Sequence, residues 1–213
     1  NTMKRNILTV ASIICIAALS YAFTAKKSKG YEPGDKATDF KLKNIDNTTV
    51  SLSDYSDAKG FIVTFTCNHC PYAVKYEDRI VALDAKYKSL GYPVVAINPN
   101  DSVAYPSDAF SKMKVRAAEK GFTFPYLLDE TQKIAKKYGA LKTPHIYILQ
   151  KEDKKLIVKY IGAIDDNYDD AAAVKIKYAE NALDELLAGK PVSVANTKAI
   201  GCGIKWKKKG KKK

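Results

Sequence analysis

Apolar and polar positions first alternate around two short runs. Phe40 and Leu42 are apolar among polar neighbours, as are Val50 and Leu52, with NIDNTT standing between them. A period of two broken by turn-forming residues predicts a β-hairpin. Residues 51–56 follow as a short cap-like stretch. Phe61, Ile62, Val63 and Phe65 then form an uncharged, mostly apolar run. Such a run predicts a strand buried on both faces.

Beyond Phe65 the period lengthens. Val74, Ile80, Val81, Leu83 and Tyr87 recur among charges as far as Gly91, which predicts an amphipathic helix with a glycine stop. YPVVAINPN reads as a second buried strand. Residues 106–121 read as a helix with Pro106 at its start, Ser107 as cap and Gly121 as stop. FPYLLD is short and apolar, and ETQKIAKKYG suits a helix of about two and a half turns. TPHIYILQ and KLIVKYIGA read as two strands about the turn KEDK, and residues 171–189 as a terminal helix. Strands that alternate with helices imply a three-layer α/β domain, and the last two strands, joined by a tight turn, must be antiparallel. The sheet is therefore mixed.

Composition agrees with one ordinary domain plus extensions: 213 residues, 46% hydrophobic and 28% charged. The formal charge of +13 is unevenly placed. Lys4 and Arg5 precede an apolar run at residues 7–19, and seven lysines crowd residues 205–213. Removing those two and seven cations leaves residues 23–204 at +4, so the body is only mildly basic. The last nine residues read as a solvated basic tail, and no nucleic-acid partner is expected. A basic start, a short apolar centre and small residues at Ser20 and Ala22 suit an export signal over residues 1–22. The run is short for a span, which takes about 20 apolar residues. An uncleaved anchor giving membrane association is the alternative to cleavage. The chain is thus expected to be exported, to the periplasm or another extracytoplasmic space.

An exported chain can form disulfides. Removal of the signal would leave three of the four cysteines: Cys67, Cys70 and Cys202. The stretch TFTCNHCPY puts Cys67 at the end of the first long strand and Cys70 at the start of the following helix. Unpaired N–H groups and the helix dipole favour negative charge there, which makes a thiolate the expected reactive form. Pro71 is tolerated in a first helical turn. Covalent haem attachment needs CxxCH, but Pro71 follows Cys70. A structural zinc site needs four ligands, and His69, His145 and Cys202 are poor complements to a single CxxC, so no metal is expected.

A mixed sheet of this order, with CxxC ending its first long strand, resembles the thioredoxin fold. DFKLKN…VSLSDY resembles the opening hairpin of the redoxin and alkyl-hydroperoxide-reductase-like branch, and GKPVSV…GCGIKW resembles the C-terminal end of exported redoxin-domain proteins. The resemblance covers residues 31–188, and the domain is expected over 31–204. It implies a thioredoxin-like three-layer fold with a central mixed β-sheet and an N-terminal β-hairpin. It also implies a thiol–disulfide oxidoreductase, with protein thiols or disulfides and a redox partner as its counterparts, and without a bound cofactor. By the same resemblance Cys67 is the exposed attacking cysteine and Cys70 the buried resolving one. Thr143-Pro144 matches the cis-proline that lies against the dithiol and presents backbone to substrate. His69, just before Cys70, is expected to stabilise the Cys67 thiolate. Cys202, between two glycines, is a candidate accessory thiol with three roles open: a disulfide with a partner, resolution of the active site, or a free, partly buried thiol without a catalytic role.

The sequence departs from thioredoxins in carrying Thr66 where tryptophan is usual. The strand at 60–66 also holds no acid. Proton transfer would then fall to His69, water or another acid; Glu77 reads as a surface residue. A thiol peroxidase is the alternative activity. Thr64 matches the threonine of the peroxiredoxin pattern P-x-x-x-T-x-x-C, but Gly60 stands in place of its proline. Arg116 is the mid-chain candidate for a peroxide-binding cation, though its surroundings suit a solvated helix face.

Overall fold

The computed structural model describes residues 30–208. The export segment and the final lysines lie outside the described residues. Ten strands are found there: β1 (Lys36–Ala37), β2 (Lys41–Asn44), β3 (Thr49–Ser51), β4 (Gly60–Phe65), β5 (Val94–Asn98), β6 (Tyr126–Leu128), β7 (Lys142–Thr143), β8 (His145–Glu152), β9 (Lys155–Gly162) and β10 (Cys202–Gly203). The helices are α1 (Pro71–Tyr87), α2 (Phe110–Glu119), α3 (Lys133–Tyr138) and α4 (Tyr178–Leu187). Eight strands form one mixed sheet in the order β1-β9-β8-β4-β5-β6-β2-β3. β7 and β10 form a separate antiparallel pair.

β4 lies in the middle of the sheet, parallel to β5 and antiparallel to β8, and all six of its residues are buried. Its side chains alternate between two cores. Ile62 meets Ile80 and Leu83 of α1, Met113 of α2 and Leu183 of α4 on one face. Phe61, Val63 and Phe65 join Leu52 and Ala135 and Tyr138 of α3 on the other. Both faces are covered, which is why the strand is apolar without alternation. The expected hairpin is present, with Leu42 opposite Val50. β8 and β9 are antiparallel, and Asp153 and Lys154 between them both have positive φ, the geometry of a tight two-residue turn.

Three expected helices begin later than their sequence patterns suggest. Residues Pro106–Asp108 form a single 3-10 turn and α2 starts at Phe110, without a side-chain cap. Asp108 is turned into the protein instead, and Ser107 accepts from Asn68 through its carbonyl. α3 starts at Lys133 because Gln132 is left-handed, its buried side-chain amide donating to the carbonyls of Pro99 and Lys205. The alanines at 171–173 make one 3-10 turn, exposed to solvent, and α4 begins at Tyr178. The intervening loop bonds locally, with Asp166 accepting from the Lys175 N–H.

Two surface assignments are corrected. Glu77 is buried, and the Arg116 guanidinium grips it with two hydrogen bonds of 2.7 and 2.5 Å. The pair ties α1 to α2, so Arg116 lies neither on a solvated face nor open to a small anion. The basic tail also begins further on than residue 205. The Lys205 carbonyl accepts from Asp101 and Gln132, and the Lys207 N–H donates to Gln132. No helix among the described residues is long and apolar enough to cross a membrane.

Candidate active site

The strand-to-helix step sets the two cysteines. Cys67 follows β4 by two residues; Cys70 is the N-cap of α1, in extended backbone, with Pro71 opening the helix. Proline fits because its missing N–H would have had no helical acceptor. The backbone N–H groups of His69 and Cys70 turn toward the Cys67 sulfur, as expected at a helix start.

Thr143, at the end of β7, and Pro144 close the site just before β8, and the peptide bond joining them is cis. The Thr143 hydroxyl is 3.2 Å from Cys67 Sγ, and its carbonyl oxygen is 3.3 Å from Cys70 Sγ. One residue therefore touches both sulfurs through two different groups.

An attacking and a resolving cysteine at this spacing close a Cys67–Cys70 disulfide when oxidised, but that bond is not the one found. Cys70 is bonded to Cys202, 132 residues away in sequence, and Cys67 is free. β10 makes this geometry by pairing with β7, Cys202 opposite Thr143 and Gly203 opposite Lys142. Gly201 allows the approach, since a Cβ there would stand 2.3 Å from the Thr143 carbonyl oxygen. The Cys202 N–H also faces Cys70 Sγ at 3.4 Å.

The overlying segment changes the electrostatics from those expected. Cys67 is only 2% exposed and Cys70 is fully buried, whereas Cys202 is partly open. Burial pushes the Cys67 thiol up from its ordinary pKa, and the Asp108 carboxylate adds to the rise; the hydrogen bonds from Thr143 and the two backbone N–H groups oppose it. Cys67 is thus a thiol in this state, not the exposed thiolate that its place at a helix start suggests. Desolvation penalises the charge more than the helix terminus rewards it.

Asp108 is the acid that β4 lacks, supplied by another element. It is fully buried. Its Oδ1 accepts from the Asn68 N–H at 2.8 Å, and its Oδ2 lies 2.6 Å from His69 Nδ1 and accepts from the Asn100 amide at 2.8 Å. His69 stacks on Tyr105, whose ring carries the Lys205 ammonium on its face. The imidazole is therefore directed at Asp108 and acts on Cys67 through that carboxylate. Sequence reasoning missed Asp108, which looked like part of a helix start. The faint signal was Asn98 and Asn100, two amides ending an otherwise apolar strand.

Cys67 Sγ, a His69 ring nitrogen and an Asp108 oxygen lie within 4.8 Å of one another, the spacing of metal ligands. Both Asp108 oxygens already accept hydrogen bonds, and a structural zinc takes four ligands. The trio fits a hydrogen-bonded cluster better than a metal cradle. His145, beside Pro144, is buried away from it; desolvation lowers its pKa to about 4, and its Nδ1 accepts from the Leu141 N–H.

A mixed sheet with two cysteines at this strand-to-helix step and a cis-proline against them defines a thioredoxin-like redox protein. The chain belongs to the AhpC/TSA family, whose pattern matches residues 33–161. It is an oxidoreductase of the redoxin type. A crystal structure of an uncharacterized conserved protein from Geobacillus kaustophilus is 38% identical, with a TM-score of 0.78 over 84% of this chain and 95% of that one. Thiol-disulfide oxidoreductase ResA of Geobacillus thermodenitrificans is 26% identical, over 68% of this chain and 81% of its own length. Chloroplastic peroxiredoxin Q of Triticum aestivum is 30% identical, over 68% of this chain and 63% of its own.

Proposed function

We propose that this chain is an exported thiol–disulfide oxidoreductase in which Cys67 and Cys70 exchange electrons with protein thiols or disulfides. The observation that carries the reading is the shared corner at Thr143, where both sulfurs meet one residue and Cys70 already takes part in a disulfide. In the reaction the Cys67 thiolate attacks a partner disulfide, forming a mixed disulfide and expelling one partner thiol. Cys70 then attacks Cys67 Sγ, closing the Cys67–Cys70 bond and releasing the second thiol. The two protein thiols lose two electrons and the partner gains them, so no bound cofactor is needed. Asp108 and His69 are positioning residues that set how readily Cys67 ionises. The apolar run at residues 7–19 supports a place outside the cytoplasm, where partner disulfides persist. The similarity to ResA supports the exchange reading.

A peroxidase is the second reading, favoured by the similarity to peroxiredoxin Q. Its geometric support is thinner. The Thr64 hydroxyl makes no hydrogen bond, and the Arg116 side chain is held by Glu77. The reduced chain and a Cys67→Ser variant decide the matter when given hydroxyethyl disulfide or hydrogen peroxide as sole oxidant. Loss of disulfide exchange in the variant, with slow peroxide turnover in the parent, is the expected result. Fast peroxide turnover with sulfenic acid at Cys67 would overturn it in favour of the peroxidase.

A further inference from the structure

We infer that Cys202 is a third catalytic cysteine, the outlet of a relay that moves a disulfide from Cys67–Cys70 to Cys70–Cys202. The inference rests on the exchange reading above and adds a step to it. Cys202 is held opposite Thr143, the residue that touches both dithiol sulfurs, and is bonded to the inner of the two. Gly201 permits this closeness, because any side chain there would strike the Thr143 backbone. The segment is built in at both ends. Thr197 bonds to Ile161 and Tyr160 on one side, and Lys205 and Lys207 bond to Asn100 and Gln132 on the other.

The relay balances without any oxidant beyond the substrate. The Cys202 thiolate attacks Cys70 Sγ in a Cys67–Cys70 disulfide. The Cys70–Cys202 bond forms, the Cys67–Cys70 bond breaks, and Cys67 leaves as a thiolate that takes up a proton. Nothing is oxidised or reduced overall; the disulfide has moved one place outward. A dithiol reductant then attacks Cys202, the one sulfur of the new bond that solvent reaches. Two successive exchanges convert that dithiol to its disulfide and return Cys70 and Cys202 to thiols. Reduction removes the covalent tie and leaves β10 on a two-residue ladder, weak by itself, together with the Ile204 N–H bond to the Leu141 carbonyl and the Lys205 N–H bond to Asn100. Its lifting exposes the Lys142–Thr143 edge and gives a substrate access to Cys67. In the closed state burial keeps Cys67 protonated, so it does not attack back at once.

The test uses the full chain with Cys15→Ser, leaving three thiols. The reduced protein is given one equivalent of hydroxyethyl disulfide, free thiols are alkylated, and the bonded pair is read by peptide mapping. Expected is a Cys70–Cys202 bond with alkylated Cys67. Cys202→Ser should stop at Cys67–Cys70, and its multiple-turnover rate with dithiothreitol as reductant should fall at least about tenfold. Gly201→Ala keeps all three sulfurs and should shift the bond to Cys67–Cys70. A wild-type chain that holds Cys67–Cys70 with Cys202 alkylated overturns the relay alone, as does a Cys202→Ser chain that turns over at the parent rate. No reaction of any wild-type thiol with the disulfide overturns the relay and the exchange reading together.

Discussion

Replacing Asp108 by asparagine should lower the pKa of Cys67. Asp108 is buried, and one of its oxygens lies within 4.8 Å of Cys67 Sγ. At that distance and an effective dielectric of about 20, two unit charges repel by about 3.5 kcal/mol, which is about 2.5 pKa units. The realised effect is smaller, because His69 and the two asparagine side chains offset part of the carboxylate field. Burial, the larger cause of the upward shift, is untouched by the substitution. A fall smaller than that pairwise repulsion is expected, because burial still pushes the thiol up. Asparagine keeps an acceptor for the Asn68 N–H, so the loop should hold. Thiolate ultraviolet absorbance against pH measures the shift directly. The Cys15→Ser chain in its Cys70–Cys202 form has Cys67 as its single free thiol. Iodoacetamide reactivity at neutral pH should rise in step. An unchanged or higher Cys67 pKa in a variant that still folds would refute the electrostatic argument.

Three further outcomes follow from the same contacts. His69→Ala leaves the Asp108 charge less compensated, so the Cys67 pKa should rise and the reduction potential of the dithiol should fall by tens of millivolts, read by glutathione equilibrium; at about 30 mV per 1.4 kcal/mol this is a shift of a few kcal/mol at most. Arg116→Ala leaves the buried Glu77 carboxylate with only Lys120, at 3.8 Å, and should cost up to about 3 kcal/mol in urea unfolding at neutral pH, with Glu77→Gln, Arg116→Met recovering part of the loss. The His145 pKa is lowered from 6.5 to about 4 in the folded chain, so below pH 6.5 the unfolded chain binds a proton that the folded one does not. Its contribution to stability is full above about pH 6.5 and lost as pH falls to about 4, by up to about 3 kcal/mol. His145→Gln should flatten the unfolding free energy over that window, and equal slopes for parent and variant would refute the assignment.

The mixed sheet and the succession of strands and helices were legible because a buried strand and an amphipathic helix leave different periods. β4, β5, β8 and β9 each stand out as apolar runs between turn residues. β1 and β10 were not legible, and neither carries a pattern. Each is two residues long and is held by what lies opposite, β9 in one case and β7 in the other. Helix starts failed for a related reason. Asp108 and Gln132 look like ordinary residues of a first turn, yet each is pulled inward by partners far along the chain. Within the site, Cys67, Cys70, Thr143 and Pro144 were marked by motif. Asp108 and the bond to Cys202 arise only in three dimensions. The helix N-terminus favours a Cys67 thiolate while burial opposes it, and no local pattern announces that burial.

That segment and the buried acid belong to one device. The Lys205 N–H donates to Asn100 Oδ1 at 2.9 Å, and the Asn100 amide donates to Asp108 Oδ2 at 2.8 Å. Lys205 also lies over Tyr105, on which His69 stacks. The stretch that packs beside Cys67 therefore also holds one of the amides that bond the carboxylate. Desolvation first and the Asp108 charge second raise the Cys67 pKa, and the segment touches the surroundings of both: Cys202 packs against the cluster of Cys67, Cys70 and Ala73, and Lys205 bonds Asn100. Lifting residues 202–205 would admit water to Cys67 and free Asn100 from its backbone donor in a single movement. Both changes favour the thiolate, because water restores solvation and a looser, hydrated Asp108 repels less at a higher dielectric. In the proposed relay, Cys67 thus gains nucleophilicity when the cover leaves. The opposing hydrogen bonds from Thr143 and the helix N-terminus are already in place to hold its charge.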